Sequence, residues 1–274
     1  MLDLSIIIPF KNQSSLTIKC LESLNKFGNP VKEIILISNN SNKAELALIK
    51  DTASKFDNVI VLKYNHSFNF QKINNWAAKK STSKTLLFLN NDIEFTNKSK
   101  KILQKMYDLA LKPNIGAVGS VLLYEDNITI QHAGVFLIPG GTADHLYIRK
   151  KFKQVLKNIE DKKLEYDIRK NLKVSAVTAA CVMVEKSKFN KIKGFNEDFI
   201  ICGGDVDLCL RLEESGYNSV LAGCSSGTII HKESKSRSLI AVPYIDFVES
   251  YKSYIKHFDY SLGDPYLNWE KVNK

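Results

Sequence analysis

The sequence predicts an α/β fold: a mixed, mostly parallel sheet flanked by helices. Short β-branched runs alternate with amphipathic stretches through the first half of the chain, and each run ends in polar residues. The alternation is Leu4 to Ile8, then Ser14 to Phe27; Glu33 to Ile37, then Lys43 to Lys55; Val59 to Leu62, then Phe70 to Lys80; then Thr85 to Leu89. Such a rhythm means βαβ units on a parallel sheet. In the first helix Leu16, Cys20, Leu21 and Leu24 share a face, and Asn12 or Ser14 can cap its start. Sheets of this kind gather ligands at the carboxyl ends of their strands. Here those ends are Pro9-Phe10-Lys11, Ser38-Asn39-Asn40-Ser41, Asn65-His66 and Asn90-Asn91-Asp92, which should converge on one crevice.

Beyond Asp92 the rhythm stops. Lys98 to Leu111 reads as helix, Gly116 to Tyr124 as strand, and Ile128 to Ile138 leads to a turn at Gly140-Gly141. Residues 145–173 are lysine-rich with weak periodicity and read as a variable excursion over the site. A helix follows at Asp205 to Ser215, closed by Gly216, and a last helix at Pro243 to Phe258, whose outer face suits a membrane, a second copy or the core. We therefore expect one domain over 1–274, in segments 1–92 and 93–242 with a helical tail over 243–274.

With 274 residues, 44% of them hydrophobic, the chain can bury a large core, which excludes disorder. No run of eighteen apolar residues occurs, and the start opens directly on Leu2-Asp3-Leu4 without a basic leader. The expectation is a cytoplasmic protein whose five cysteines, with no CxxC pair, are reduced core residues. A formal charge of +10 suits a phosphate-bearing ligand, an anionic membrane face or nucleic acid. Its lysines are interleaved with acids rather than stacking aromatics, so a solvated basic face comes first, peripheral contact at the inner membrane face next, and nucleic acid last.

Three clusters can carry chemistry. In Leu86 to Asp92 an apolar strand ends in two amides and an acid, where a hard cation such as Mg²⁺ or Mn²⁺ could sit with phosphate oxygens, or where a turn is simply capped. In Gly203-Gly204-Asp205-Val206-Asp207 two acids open a helix about 200° apart, so one can face a cleft while the other caps or pairs with a cation. An acid there can take a proton from an acceptor hydroxyl. In Thr228 to Arg237 a strand delivers His231 to a basic, hydroxyl-rich loop; imidazole can join a carboxylate on a metal, although a lone strand-end histidine is often structural.

In this order the segments resemble family 2 glycosyltransferases, above all the branch for rhamnosyl and related transfers in bacterial surface polysaccharides. The resemblance spans nearly the whole chain. It rests on Ser5 to Asn12, Glu33 to Ser41, Phe68 to Asn75, Gln131-His132-Ala133-Gly134 and Asp264-Pro265-Tyr266, and most specifically on Asp205 to Leu212 followed by Gly216-Tyr217, His231 and Glu233 to Arg237. It implies a GT-A fold and an inverting transfer from a nucleotide diphosphate sugar, UDP- or dTDP-linked, to a saccharide or lipid-linked saccharide. It also implies that segment 1–92 is the nucleotide-binding half and segment 93–242 the acceptor and catalytic half. The nucleotide-sugar residues it implies are Pro9, Phe10, Ser38, Asn40, Asn65, Lys72, Asn90, Asn91, Lys235 and Arg237. Asp92 and His231 would hold a divalent cation, Asp205 would be the catalytic base, and Gly204 and Asp207 would contact the acceptor. The chain departs from the family pattern at Ser38, Asn90 and Gly204, where acids or amides are usual. These softened positions leave a non-catalytic nucleotide-sugar binder or scaffold subunit as the alternative reading. A nucleotidyltransferase has no use for the Asp205 to Arg211 segment.

Overall fold

The computed structural model describes residues 1–138, 142–232, 242–257 and 263–268. Its first half follows the predicted alternation: β1 (Leu2–Phe10), α1 (Ser14–Phe27), β2 (Val31–Ser38), α2 (Lys43–Ala53), β3 (Val59–Lys63), α3 (Phe70–Lys80) and β4 (Thr85–Leu89). These strands are parallel, in the spatial order β4-β1-β2-β3, with Ile7 in register with Ile35 on one side and Phe88 on the other. Side chains alternate between two faces, and both faces are covered. Ile7, Ile35, Ile37 and Phe88 pack on Ile73 and Ala77 of α3, whereas Ile6, Ile8, Leu36, Leu87 and Leu89 pack on Cys20, Leu21 and Leu24 of α1. Each such aliphatic side chain, fully buried, contributes about 1.5–3 kcal/mol before entropy is charged against it.

The second half comprises β5 (Ile93–Glu94), α4 (Ile102–Ala110), β6 (Ile115–Ser120), β7 (Leu122–Leu123), β8 (Ile130–His132), β9 (Val135–Ile138), β10 (Thr142–His145), α5 (Phe152–Glu160), β11 (Leu172–Val174), β12 (Cys181–Glu185), α6 (Lys186–Lys191), α7 (Gly204–Glu214), β13 (Asn218–Ala222), β14 (Ile229–His231) and α8 (Tyr244–His257). β12 enters antiparallel between β4 and β6 and completes an eight-stranded mixed sheet in the order β11-β13-β6-β12-β4-β1-β2-β3. A smaller sheet, β5-β14-β7-β8, and the β9–β10 hairpin close over the strand ends.

Two local expectations change. Neither Asn12 nor Ser14 caps α1 by its side chain. The Ser14 N–H donates instead to Glu45 Oε2 of α2 at 2.6 Å, while Asn12 Oδ1 accepts the Asn42 N–H. The lysine-rich excursion contains a helix of its own: Val155 and Ile159 of α5 are buried in the core, with Phe152 and Leu156 packed beside them. That apolar stripe at steps of three and four is present in the sequence but diluted by lysines on the solvent side. The turn expected at Gly140-Gly141 lies outside the described residues.

α7 ends as expected. Gly216 takes φ +89, its N–H donates to Glu213 O, and the Tyr217 N–H reaches Leu212 O, which satisfies carbonyls that the helix leaves open. α8 then fastens α7 and the loop before it. Asp246, 1% exposed, accepts the N–H groups of Ile200, Ile201 and Cys202, and Ser253 Oγ donates to Asp207 Oδ1 at 2.7 Å. On its other face Tyr244, Phe247, Tyr251 and Ile255 are exposed. No helix among the described residues is long and apolar enough to cross a membrane.

Asp207 also pairs with Arg211 one turn on, Nε to Oδ2 at 2.7 Å, and Arg211 Nη1 donates to the carbonyls of Ile192 and Gly194. The Asp207 and Arg211 side chains are 4% and 17% exposed, so removing one strands the other's charge. Arg211→Ala is expected to lower the unfolding free energy by about 3–5 kcal/mol in a urea titration. A loss under about 1 kcal/mol would mean that the pair is solvent-screened.

Candidate active site

The strand ends open on a cleft of about 500 Å³. β1 contributes Pro9, Phe10 and Lys11, the residue after β2 contributes Asn39, and the end of β4 contributes Asn90, Asn91 and Asp92. Across from them lie Thr178 to Ala180 before β12, Ile201 to Gly203 and Asp205 at the start of α7, His231 at the end of β14, and Val135 and His145 of the hairpin. Phe70, Gln71 and Ile73 of α3 close one wall.

Asp92 and His231 meet because β5 and β14 pair antiparallel, with Ile93 opposite His231 and the Lys232 N–H donating to Asp92 O at 3.0 Å. The Asp92 and His231 side chains are 4% and 5% exposed. His231 Nε2 stands 3.2 Å from Asp92 Oδ1, yet that oxygen has no hydrogen-bond partner, so the contact is not aligned as a hydrogen bond. The Asn90 amide nitrogen is 3.4 Å from the same ring nitrogen. A buried carboxylate oxygen without a hydrogen-bond partner, beside an imidazole nitrogen contacted by the Asn90 amide, fits two ligands of one divalent cation. Among the described residues no cluster of three or more acidic, histidine or cysteine side chains exists, so water and phosphate oxygens would fill the remaining positions.

Asp205 sits in the first turn of α7, behind Gly203 in the left-handed conformation, and its carboxylate is oriented by two backbone donors. Oδ2 accepts the Ala179 N–H and Oδ1 the Val206 N–H, both at 3.0 Å. A carboxylate has about four acceptor sites, so two bonds leave capacity for a substrate proton. Asp207 faces away, as the helical angle requires. It therefore reaches Arg211 and Ser253 rather than an acceptor in this cleft.

Sequence reasoning missed a histidine relay. His132, fully buried, lies with Nδ1 2.7 Å from His145 Nδ1, and its Nε2 accepts the Gly134 N–H at 3.3 Å. Burial, then the neighbouring His145 and His231, push the His132 pKa well below its usual value, so the ring is neutral. With Nε2 accepting, its proton is on Nδ1 and is donated to His145, which fixes the His145 proton on Nε2. His145 itself lines the cleft. The Gln-His-Ala-Gly motif was the signal for His132; nothing marked its partner. Asp264 of the Asp264-Pro265-Tyr266 motif holds this hairpin, accepting the Leu137 N–H and the Ser175 hydroxyl, each at 2.6 Å.

Other expected residues fall elsewhere. Ser38 is buried at the end of β2, where its carbonyl accepts the Tyr64 N–H, and its neighbour Asn39 reaches the cleft instead. Asn40 and Asn65 lie outside the cleft, with the Asn40 amide donating to His66 O. Lys72 lines a separate open depression with Tyr64, His66 and Trp76, and among the described residues the cation lining the cleft is Lys11. Gly204 is buried beneath Gln71 rather than in the cleft wall. Asn91 both lines the cleft and donates to Thr17 Oγ1 of α1. Lys235 and Arg237 lie outside the described residues. The five cysteines are free thiols; burial raises the pKa values of Cys181 and Cys209 to about 12, which leaves them unreactive.

Asp92, His231 and Asp205 thus stand around one strand-end cleft of a doubly covered α/β sheet. The sequence model described as Glycosyl transferase family 2 matches residues 5–193. The chain belongs to that family and has the GT-A fold. It is similar to the O-antigen biosynthesis protein RfbC of Myxococcus xanthus, 37% identical over 96% of this chain and 20% of that protein. An uncharacterised protein of Sinorhizobium fredii is 32% identical over 85% of this chain and 25% of its own length. The chain thus spans a fifth to a quarter of these relatives. Among solved structures it resembles GalNAc-T7 with UDP, GalNAc and Mn²⁺ (TM-score 0.64, 15% identity, 84% of this chain and 44% of that one). It also resembles a Pyrobaculum calidifontis mannosyltransferase with GDP-Man and Mn²⁺ (TM-score 0.60, 12% identity, 92% and 69%).

Proposed function

We propose that the chain transfers a sugar, with inversion, from a UDP- or dTDP-sugar to a saccharide or lipid-linked saccharide of a surface polysaccharide. One observation carries the reading: Asp92 Oδ1, buried without a hydrogen-bond partner, lies 3.2 Å from His231 Nε2 in the same cleft as Asp205. The name of the Myxococcus relative supports the polysaccharide context, and the Mn²⁺ in the two similar structures supports a divalent cation, Mn²⁺ or Mg²⁺.

Held by Asp92 and His231, the cation would neutralise charge that develops on the leaving diphosphate. Phe10 and Pro9 offer an apolar floor at the β1 end and Lys11 adds positive charge, while Asn39, whose amide nitrogen already donates to the carbonyls of Tyr64 and His66, has its oxygen left for a nucleoside donor group. Asp205, steadied by the N–H groups of Ala179 and Val206, takes the proton from the acceptor hydroxyl as its oxygen attacks the sugar. Attack from the side opposite the leaving group inverts the anomeric centre.

The test is a thermal-shift screen of nucleotide sugars with and without Mn²⁺. A ligand at 100 times its Kd stabilises the fold by about 2.7 kcal/mol, or roughly 5–10 °C for a chain of this size. One nucleotide sugar should produce that shift only when Mn²⁺ is present. If none does, with either metal, the reading fails.

A further inference from the structure

Gln71 is the second residue of α3, whose first turn is capped by Asn69 Oδ1 accepting the Lys72 N–H at 2.8 Å. That cap also ties the helix to the loop before α7: the Asn69 amide donates to the carbonyls of Glu197 and Phe199, and the Phe70 N–H to Ile200 O. Gln71 is thereby set against Gly204, the residue before Asp205. A Cβ on Gly204 would stand 2.5 Å from Gln71 Nε2 and 2.6 Å from Cδ, so the amide fills the room that any side chain there would need. Gln71 is 1% exposed, it lines the cleft, and its Oε1 has no hydrogen-bond partner. Buried amides are rarely left unmet, because losing water without gaining a partner destabilises the fold. An apolar residue of the same shape would fill the space without that cost. The unmet amide is explained if a ligand supplies the missing partner.

We propose that Gln71 binds a hydroxyl of the sugar held at the Asp205 end of the cleft, and that Gly204 is a glycine so that the amide can reach it. The proposal rests on the glycosyl transfer inferred above. A sugar hydroxyl both donates and accepts, so the ligand class is the same whichever way the amide is turned. That hydroxyl belongs either to the donor sugar or to the acceptor sugar, since both meet beside Asp205.

The experiment compares wild type with Gln71→Leu, which keeps the volume and removes the polar atoms, and with Gly204→Ala, whose added methyl displaces the amide. Calorimetry with Mn²⁺ measures UDP or dTDP alone against UDP-glucose or dTDP-rhamnose, and transfer to a panel of p-nitrophenyl glycosides supplies an acceptor KM. Both variants should bind the nucleoside diphosphate as wild type does. If the hydroxyl is the donor's, the sugar nucleotide binds roughly five- to tenfold more weakly; if it is the acceptor's, the acceptor KM rises by roughly the same factor. Gln71→Leu should melt at the wild-type temperature or above it, which a merely structural glutamine would not allow. Unchanged sugar binding together with unchanged transfer would overturn the proposal. So would a lower melting temperature with nucleoside diphosphate binding lost in step. A wild type that binds no nucleotide sugar refutes the glycosyl transfer itself, a different failure.

Discussion

Asp205→Asn should reduce sugar transfer by about 10²–10⁴-fold while Mn²⁺-dependent nucleotide binding survives. The substitution preserves volume and keeps one of the two backbone bonds that Asp205 accepts from Ala179 and Val206, so the fold loses about 1–3 kcal/mol. It removes the group that takes the acceptor proton. Single-turnover transfer and calorimetry on the same preparation separate the two effects. If the variant transfers within about threefold of wild type, Asp205 is not the base, and its carboxylate only fastens the segment around Ala179.

The second large effect concerns the other end of the cleft. Asp92→Ala should abolish the stabilisation that nucleotide plus Mn²⁺ gives, about 2.7 kcal/mol at 100 times Kd, and EDTA should do the same to wild type. His231→Ala should weaken the binding rather than erase it, because the carboxylate carries the charge. The reasoning is local: Asp92 Oδ1 is buried without a hydrogen-bond partner, and a cation between it and His231 would offset the cost of burying that charge. A variant lacking Asp92 that still shows the full Mn²⁺-dependent shift would place the ion elsewhere.

Much of the fold was legible because sheet and helix carry different periods. α1, α3 and β4 fall on their predicted bounds, and the parallel order of β1 to β4 follows from the βαβ rhythm. The second half was less so, because nothing local tells β12 to enter antiparallel between β4 and β6. At the site, residue type was readable but side-chain direction was not. Ser38 and Asn39 are neighbours at one strand end, and a step of one residue turns a side chain from cleft to core. Gln71 and Lys72 differ by about 100° on the same helix, enough to send one into the cleft and the other into the Tyr64 and Trp76 depression. The same arithmetic succeeded for Asp205 and Asp207, whose opposed directions the spacing did predict. The meeting of Asp92 with His231 depends on a two-residue ladder between β5 and β14, too short to read from pattern; only the family resemblance pointed to it. His145 left no trace, since its role comes from a buried neighbour in space, His132.

The central claim is that stretches far apart in the chain build one ion and diphosphate site facing a single base. Crystals grown with Mn²⁺ and the nucleoside diphosphate that the screen selects, measured at the manganese absorption edge, test it most directly. An anomalous peak between the Asp92 carboxylate and His231 Nε2, touching the diphosphate and opening toward Asp205, is the predicted result. A nucleotide bound with no manganese there, or manganese held on another surface, would contradict it.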